Sequence, residues 1–224
     1  MLWILGSCFF FWLIFRELIS RKIAARGFDH PDPTPISKLY LAILLAIALL
    51  CAWTPYRYWR FERFLTSKAN LLTAPQRTTV HCNTVFDTFF DREYFAAGHA
   101  NFETGEIVFQ HPWCGTLMDY LNHPENADPK ELFSVVMFAH ESMHVRGEHD
   151  EAKTECQAVQ RSYRTAKILG VPDHIAKQNA LNYYHNFYLN RGKMGQMQEA
   201  YFSEQCAPGK ALDEHLSDST WAVD

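Results

Sequence analysis

His140-Glu141-Ser142-Met143-His144 is the segment of this chain whose residue types and spacing point most directly to chemistry. On a helix, residues i and i+4 share a face one turn apart. Two imidazole nitrogens so placed can converge on a tetrahedral zinc ion. Glu141 is rotated about 100° from His140, beside the metal's open position rather than on it. A general base stands there to take a proton from water that zinc has brought to a pKa of about 7. The spacing is that of the H-E-x-x-H pattern. Two solvated histidines on a surface helix would be the bland alternative, so the surrounding residues matter.

Leu132, Val135, Val136 and Ala139 recur at helical spacing, and Phe133 and Phe138 widen the apolar face. Asp128-Pro129-Lys130-Glu131 reads as a helix start, a capping box with proline in the first turn. Gly147 reads as its stop. The motif therefore lies well inside a helix. A hydrolytic zinc site has three protein ligands and one open position. Beyond Gly147 come Glu148, His149, Asp150 and Glu151, then Glu155 and Cys156. Asp150 can cap a second helix that runs to about Leu169. Glu151 and Glu155 then stand i, i+4 on one face, so that one can bind the metal while the other orients a ligand histidine.

His140-Glu-Ser-Met-His144 followed by Glu151-Ala-Lys-Thr-Glu155-Cys-Gln-Ala158 resembles gluzincin-type metallopeptidases of the zincin class. In those, a glutamate of a Glu-x-x-x-Asp/Glu pattern on the next helix is the third ligand. The segment is also similar to small extracellular or membrane-tethered peptidase-like proteins. In these, Glu-Ala-x-x-Glu/Asp-Cys follows the histidine motif and flanking cysteines pair. The resemblance implies a zinc-dependent peptidase with His140, His144 and Glu151 as ligands, Glu155 behind a ligand histidine, and Glu141 as base. The gap from His144 to Glu151 is shorter than gluzincins commonly have. The same stretch reads His-Glu-x-x-His-x-x-Gly-x-x-Asp, similar to the metzincin pattern with Asp150 in place of its last histidine. Asp150 is therefore the alternative third ligand, and His149 and Glu155 complete the set.

A third helix is expected from about Pro172 to Arg191, carrying His174, Tyr183, Tyr184 and His185. A downstream His or Tyr can stabilise an oxyanion, but packing accounts for each equally well. Met194 and Met197 could form a metzincin-like turn or simply fill space. His81, His99, His111 and His123 have no partner at ligand spacing.

The 224 residues are 21% charged and 15% aromatic, with a net charge of -4. Mild acidity gives no electrostatic basis for nucleic acid as a partner, and the aromatic content argues against disorder. Leu2–Phe15 and Leu39–Tyr56 are uncharged. With Arg16, Arg21, Lys22, Arg26 and Lys38 between them, they read as two membrane segments joined by a cytoplasmic loop. Arg57, Arg60 and Arg63 weigh against that orientation. Cys82, Cys114, Cys156 and Cys206 weigh for it, since scattered cysteines without Cys-x-x-Cys read as two disulfides in an oxidising compartment. Four cysteines allow three pairings; Cys82–Cys114 and Cys156–Cys206 are expected, bracketing the strand region and tying the second helix to the tail.

The expected organisation is a membrane anchor at 1–57 (segments about 2–19 and 38–56), an amphipathic linker helix at 58–77, and a zincin-like α+β domain at 78–224. Within the domain, a strand at Thr78–Cys82, a hairpin turning at Gly105 and helical structure from about Asp128 onward are expected. The implied protein is a zinc metallopeptidase of the cell membrane, its C-terminal domain extracytoplasmic, acting on a peptide or protein. The alternative is a non-catalytic membrane protein with a structural or degenerate zinc site.

Overall fold

The computed structural model describes residues 2–24, 38–193 and 200–223. Arg26 of the basic loop, Met194 and Met197 lie outside them. The chain divides into two compact units, Met1–Arg60 and Phe61–Asp224.

In the first unit, α1 (Leu2–Ala24) meets the first part of α2 (Lys38–Thr73) through small residues. Ser7 Oγ donates to the Ala48 carbonyl at 3.1 Å, and Gly6 faces Cys51 Sγ. Small residues let helix backbones approach closely where lipid surrounds them. Phe9, Trp12 and Phe15 on α1 and Leu39, Leu49 and Leu50 on α2 are exposed. Among the described residues one helix, α2, is long and apolar enough to cross a membrane, not two as expected. The uncharged run of α1 would reach only about 21 Å, against a hydrocarbon core of about 30 Å.

The second unit continues from the end of α2 into β1 (Thr79–Cys82), α3 (Val85–Phe90), β2 (Gly98–Asn101), β3 (Glu106–Phe109) and α4 (Trp113–Asn122). It is completed by α5 (Pro129–Val145), α6 (Glu151–Ile168) and α7 (Asp173–Asn186). The fold is α+β and mostly helical. Its three-stranded sheet has the order β1-β3-β2, with β1 parallel and β2 antiparallel to β3.

The outer edge of β1 is closed by α2. Asn70 Oδ1, Thr66 Oγ1 and Glu62 Oε1 accept from the backbone N–H groups of Thr78, Val80 and Cys82 at 3.0, 2.9 and 2.8 Å. The spacing works because four residues of helix advance about 6 Å and two residues of strand about 6.6 Å. Side chains at i, i+4, i+8 thus stay in register with alternate strand residues. The β2–β3 hairpin turns at Gly105, φ +72°, where a Cβ would stand 2.2 Å from the Arg77 carbonyl oxygen.

α5 is the core helix, with every residue from Ser134 to Val145 buried. It packs on α6, α4, α7 and β2. Its start is the capping box read from the sequence: Asp128 Oδ1 accepts from Lys130 N and Glu131 N, and Glu131 Oε2 accepts from Asp128 N.

Among the described residues, helical structure does not persist to the end of the sequence. α7 stops at Asn186, a 3-10 turn covers Tyr188–Lys193, and 200–223 form no helix. Pro208, Gly209 and the turn-forming Asp213, which accepts from Gly209 N and His215 N, favour irregular backbone there. α6 supplies this tail with the partners a helix would have given. Gln160 bonds Leu212 O and Glu214 N, Ser162 bonds Thr220, and Arg161 and Arg164 pair with Glu214 and Asp218.

Two disulfides are formed, Cys82–Cys114 between β1 and α4 and Cys156–Cys206 between α6 and the tail. The second closes a separation of 50 residues. Cys156→Ser combined with Cys206→Ser should cost about 2–4 kcal/mol. Denaturation of the full chain in detergent measures it, and a double variant as stable as the parent contradicts a native bond.

Candidate metal centre

A glycine-centred turn between α5 and α6 places the candidate ligands. Gly147 has φ +98°, and Glu148 N donates back to Met143 O at 3.2 Å. The reversal sets the Glu148 carbonyl 2.8 Å from His144 Nδ1. Two residues on, Asp150 Oδ1 accepts from Lys153 N and caps α6. The carboxylate of Asp150 is thus engaged as a cap, and Glu151, the first residue of α6, reaches the histidines.

His140 Nε2 lies 3.0 Å from His144 Nε2 and 3.1 Å from Glu151 Oε2, and His144 Nε2 lies 3.4 Å from the same oxygen. Ligand atoms on a tetrahedral zinc ion are about 3.3 Å apart. His140 Nδ1 is 2.9 Å from Glu155 Oε2. The Glu155 carboxylate and the Glu148 carbonyl can only accept, which assigns the Nδ1 proton to both rings and leaves lone pairs on both Nε2 atoms. Three acceptors therefore converge with no hydrogen of their own to share, a donor set that fits a cation. The group His140, His144 and Glu151 could hold a metal ion.

Without a cation, a proton takes its place and the rings are held protonated. Burial alone would lower the pKa of His140, but the carboxylates of Glu151 and Glu155 outweigh it and hold the imidazole up to about 10. Glu151 is held down to about 2 by its hydrogen bonds from His140 and His144. Behind His140, burial would raise Glu155, yet the His140 hydrogen bond and the Arg191 charge keep it ionised below the ordinary range. Arg191 pairs with Glu155 Oε1 at 2.9 Å and donates to Tyr183 Oη at 2.7 Å, while Tyr183 itself donates to Glu155 Oε1 at 3.1 Å.

Glu141 stands apart from this network. It is 5% exposed, and its Oε2 has no hydrogen-bond partner. Burial raises its pKa above the ordinary carboxylate value. Two cavities of about 670 Å³ each meet at the motif, and His140, Glu141 and Tyr201 line both. Phe95, Trp113, Phe133, Met137 and Phe187 wall the first. The second is bordered by β2, Phe102, Glu103 and Glu106. Gly98 in β2 lets the strand and Glu141 come close, since a Cβ there would lie 3.0 Å from Val108 O and 3.5 Å from Glu141 Cγ.

The structure thus brings together His140, His144, Glu151, Glu155 and Glu141. His149 is exposed and meets the Phe102 ring instead. Tyr183 belongs to the Glu155 network, Tyr184 donates to Cys206 O, and His174 and His185 are exposed. His81 pairs with Glu62, His111 and His123 are exposed, and His99 borders the cleft. Arg191 and Tyr201 were not legible as site residues, because nothing in their own neighbourhood marks them. Their places depend on how the chain returns after α7. Comparison of the chain with family models, curated proteins and solved structures finds no match.

Glu155→Gln should weaken metal binding about 10–100-fold, as loss of a partner that orients a ligand histidine does. Competition with a chromogenic chelator reads this, and unchanged affinity would remove Glu155 from the site. A second expectation concerns pH. A histidine raised from 6.5 to about 10 stabilises the fold fully below about 6.5, and that contribution is lost as pH rises through about 10. Metal-free protein should lose thermal stability between pH 7 and 10, and added zinc should flatten that slope. The same slope with and without zinc would place the metal elsewhere.

Proposed function

We propose that this chain is a membrane-anchored zinc metallopeptidase of zincin type, with His140, His144 and Glu151 as ligands and Glu141 as general base. One observation carries the reading. A buried carboxylate with an unpartnered oxygen opens on a cleft beside three converging metal-ligand atoms. A purely structural metal site has no use for such a group, and burying it unpaired costs stability. The resemblance of the motif to zincin peptidases points the same way.

Zinc at this position would supply Lewis acidity, polarising a substrate carbonyl and bringing the pKa of water toward about 7. Glu141 accepts the proton lost by the attacking water and returns it to the departing amine. Its raised pKa suits both halves of that exchange. Glu155 holds His140 by Nδ1, and the Glu148 carbonyl holds His144, so neither ring can turn its Nε2 away. β2 is the edge strand of the sheet and borders the cleft, so an extended peptide can add to it by backbone hydrogen bonds. The aromatic cavity takes an apolar side chain of that peptide. Tyr201 lines both cavities, and burial keeps its phenol protonated, a donor for the oxyanion that develops at the carbonyl.

The span within α2 supports anchoring in a membrane. Two disulfides support an oxidising, extracytoplasmic setting for the second unit.

Glu141→Gln tests the enzyme directly. The amide matches the carboxylate in shape but cannot accept a proton at neutral pH. Peptide-library hydrolysis by the full chain in detergent should fall at least about 10²–10⁴-fold, with zinc content unchanged. Full activity in that variant would reject the mechanism. A parent protein that holds zinc and cuts nothing would favour a non-catalytic site.

A further inference from the structure

Helix α3 and the loop after it point their apolar side chains outward. α3 has no buried residue. Phe89 is 75% exposed, Phe90 80% and Phe95 87%, and Val85, Phe86 and Tyr94 are exposed as well. These rings mostly find one another: Phe89 meets Phe90 and Tyr94 meets Phe95. The polar residues of the same segment fix its orientation. Thr84 and Asp87 form a capping box, Thr88 Oγ1 accepts from His111 N, and Asp91 accepts from Asn83 Nδ2 and Glu93 N. The segment is therefore held by its polar face with its aromatic face free. Exposed apolar patches of this kind mark surfaces that something else covers.

The position of the patch identifies what covers it. Cys82 N donates to Glu62 Oε1 and His81 Nδ1 lies 2.9 Å from the same oxygen, so β1 ends beside the second residue of this unit. α3 is capped by Thr84, two residues after Cys82. Glu62 follows Tyr56, the end of the apolar stretch of α2, by six residues, a tether of about 20 Å even if fully extended. The aromatic segment thus begins at the point where the unit is attached to the candidate span.

We propose that α3 and the loop through Phe95 form an interfacial foot that seats its aromatic side chains in the headgroup layer of the bilayer crossed by α2. Aromatic rings are favoured at that depth, and a short amphipathic element lies in the interface rather than across it. Asp87, Asp91, Arg92 and Glu93 give the segment no basic cluster, so apolar insertion rather than attraction to anionic lipid holds it there. Glu93, Ala96 and Phe95 also border the two cavities at the metal centre. The cleft then opens at the bilayer surface. On the metallopeptidase reading its substrates are protein segments lying against the membrane; the placement of the foot does not rest on that reading.

The test uses the full chain with Cys8→Ser and Cys51→Ser, one molecule per phosphatidylcholine nanodisc. A nitroxide is placed at F90C, at F95C or, as control, at K210C in the exposed tail. Relaxation by oxygen, which concentrates in lipid, is compared with relaxation by a water-soluble nickel chelate. Labels at 90 and 95 should respond more to oxygen and the label at 210 more to nickel, and raising the salt should not change this. F89C provides a second site if either label perturbs the segment. Nickel accessibility at 89, 90 and 95 equal to that at 210 would overturn the proposal. Spin–spin broadening at 90 in discs loaded with two chains would also overturn it, in favour of a second copy covering the patch. Neither readout depends on metal or hydrolysis, so failure here leaves the metal centre untouched.

Discussion

Glu155 is 2% exposed, yet it carries a carboxylate into the space between α6, α7 and the motif helix. An uncompensated charge there would cost on the order of several kcal/mol. It is compensated on both oxygens. Oε1 takes Arg191 and the Tyr183 hydroxyl, and Oε2 takes His140 Nδ1. That last bond sets the tautomer and rotation of His140, and with them the direction of the Nε2 lone pair. The geometry of the candidate metal centre follows from this buried pairing: Arg191 holds Glu155, Glu155 holds His140, and His140 meets His144 and Glu151.

The remainder of the second unit makes that arrangement rigid. α5 packs on α4, α6, α7 and the sheet, so the motif histidines sit on a core helix, and sites built on such elements hold their geometry better than sites on loops. The Gly147 turn delivers Glu148 and Glu151 to the same end of the helix. The disulfide at Cys156 lies one residue after Glu155 and fixes α6 to the tail, from which Tyr201 reaches the cleft. On the opposite side, α2 closes β1, leaving β2 as the strand edge beside the cavity. The motif helix, Glu151 and the strand edge thus come from separate parts of the chain but meet at one cleft.

Much of this could be read from the chain because it is local. The capping box at Asp128, the glycine stop at Gly147, the hairpin glycine at 105 and the i, i+4 histidines each depend on residues within a few positions of one another. The preference for Glu151 over Asp150 also had a local basis, the Glu155-Cys156 pair that follows it on the same helix. What was not legible is non-local. The parallel pairing of β1 with β3 joins distant segments, and the closure of β1 by α2 is visible only once side chains at 62, 66 and 70 face alternate strand residues. Arg191 lies 36 positions from Glu155 in the sequence. The irregular tail looked helical because its partners on α6 are more than fifty residues away. The first apolar segment read as a span on composition, but its length is set by where Arg16 and Glu17 fall.

Whether His140, His144 and Glu151 bind zinc is read by X-ray absorption at the zinc edge of the full chain, purified in detergent without chelator. About one zinc per chain is expected, with nitrogen and oxygen neighbours at about 2.0–2.2 Å, the outer-shell scattering of two imidazoles, and loss of the metal in His144→Ala. Folded, disulfide-bonded protein without stoichiometric zinc, or a zinc shell containing sulfur, would contradict it.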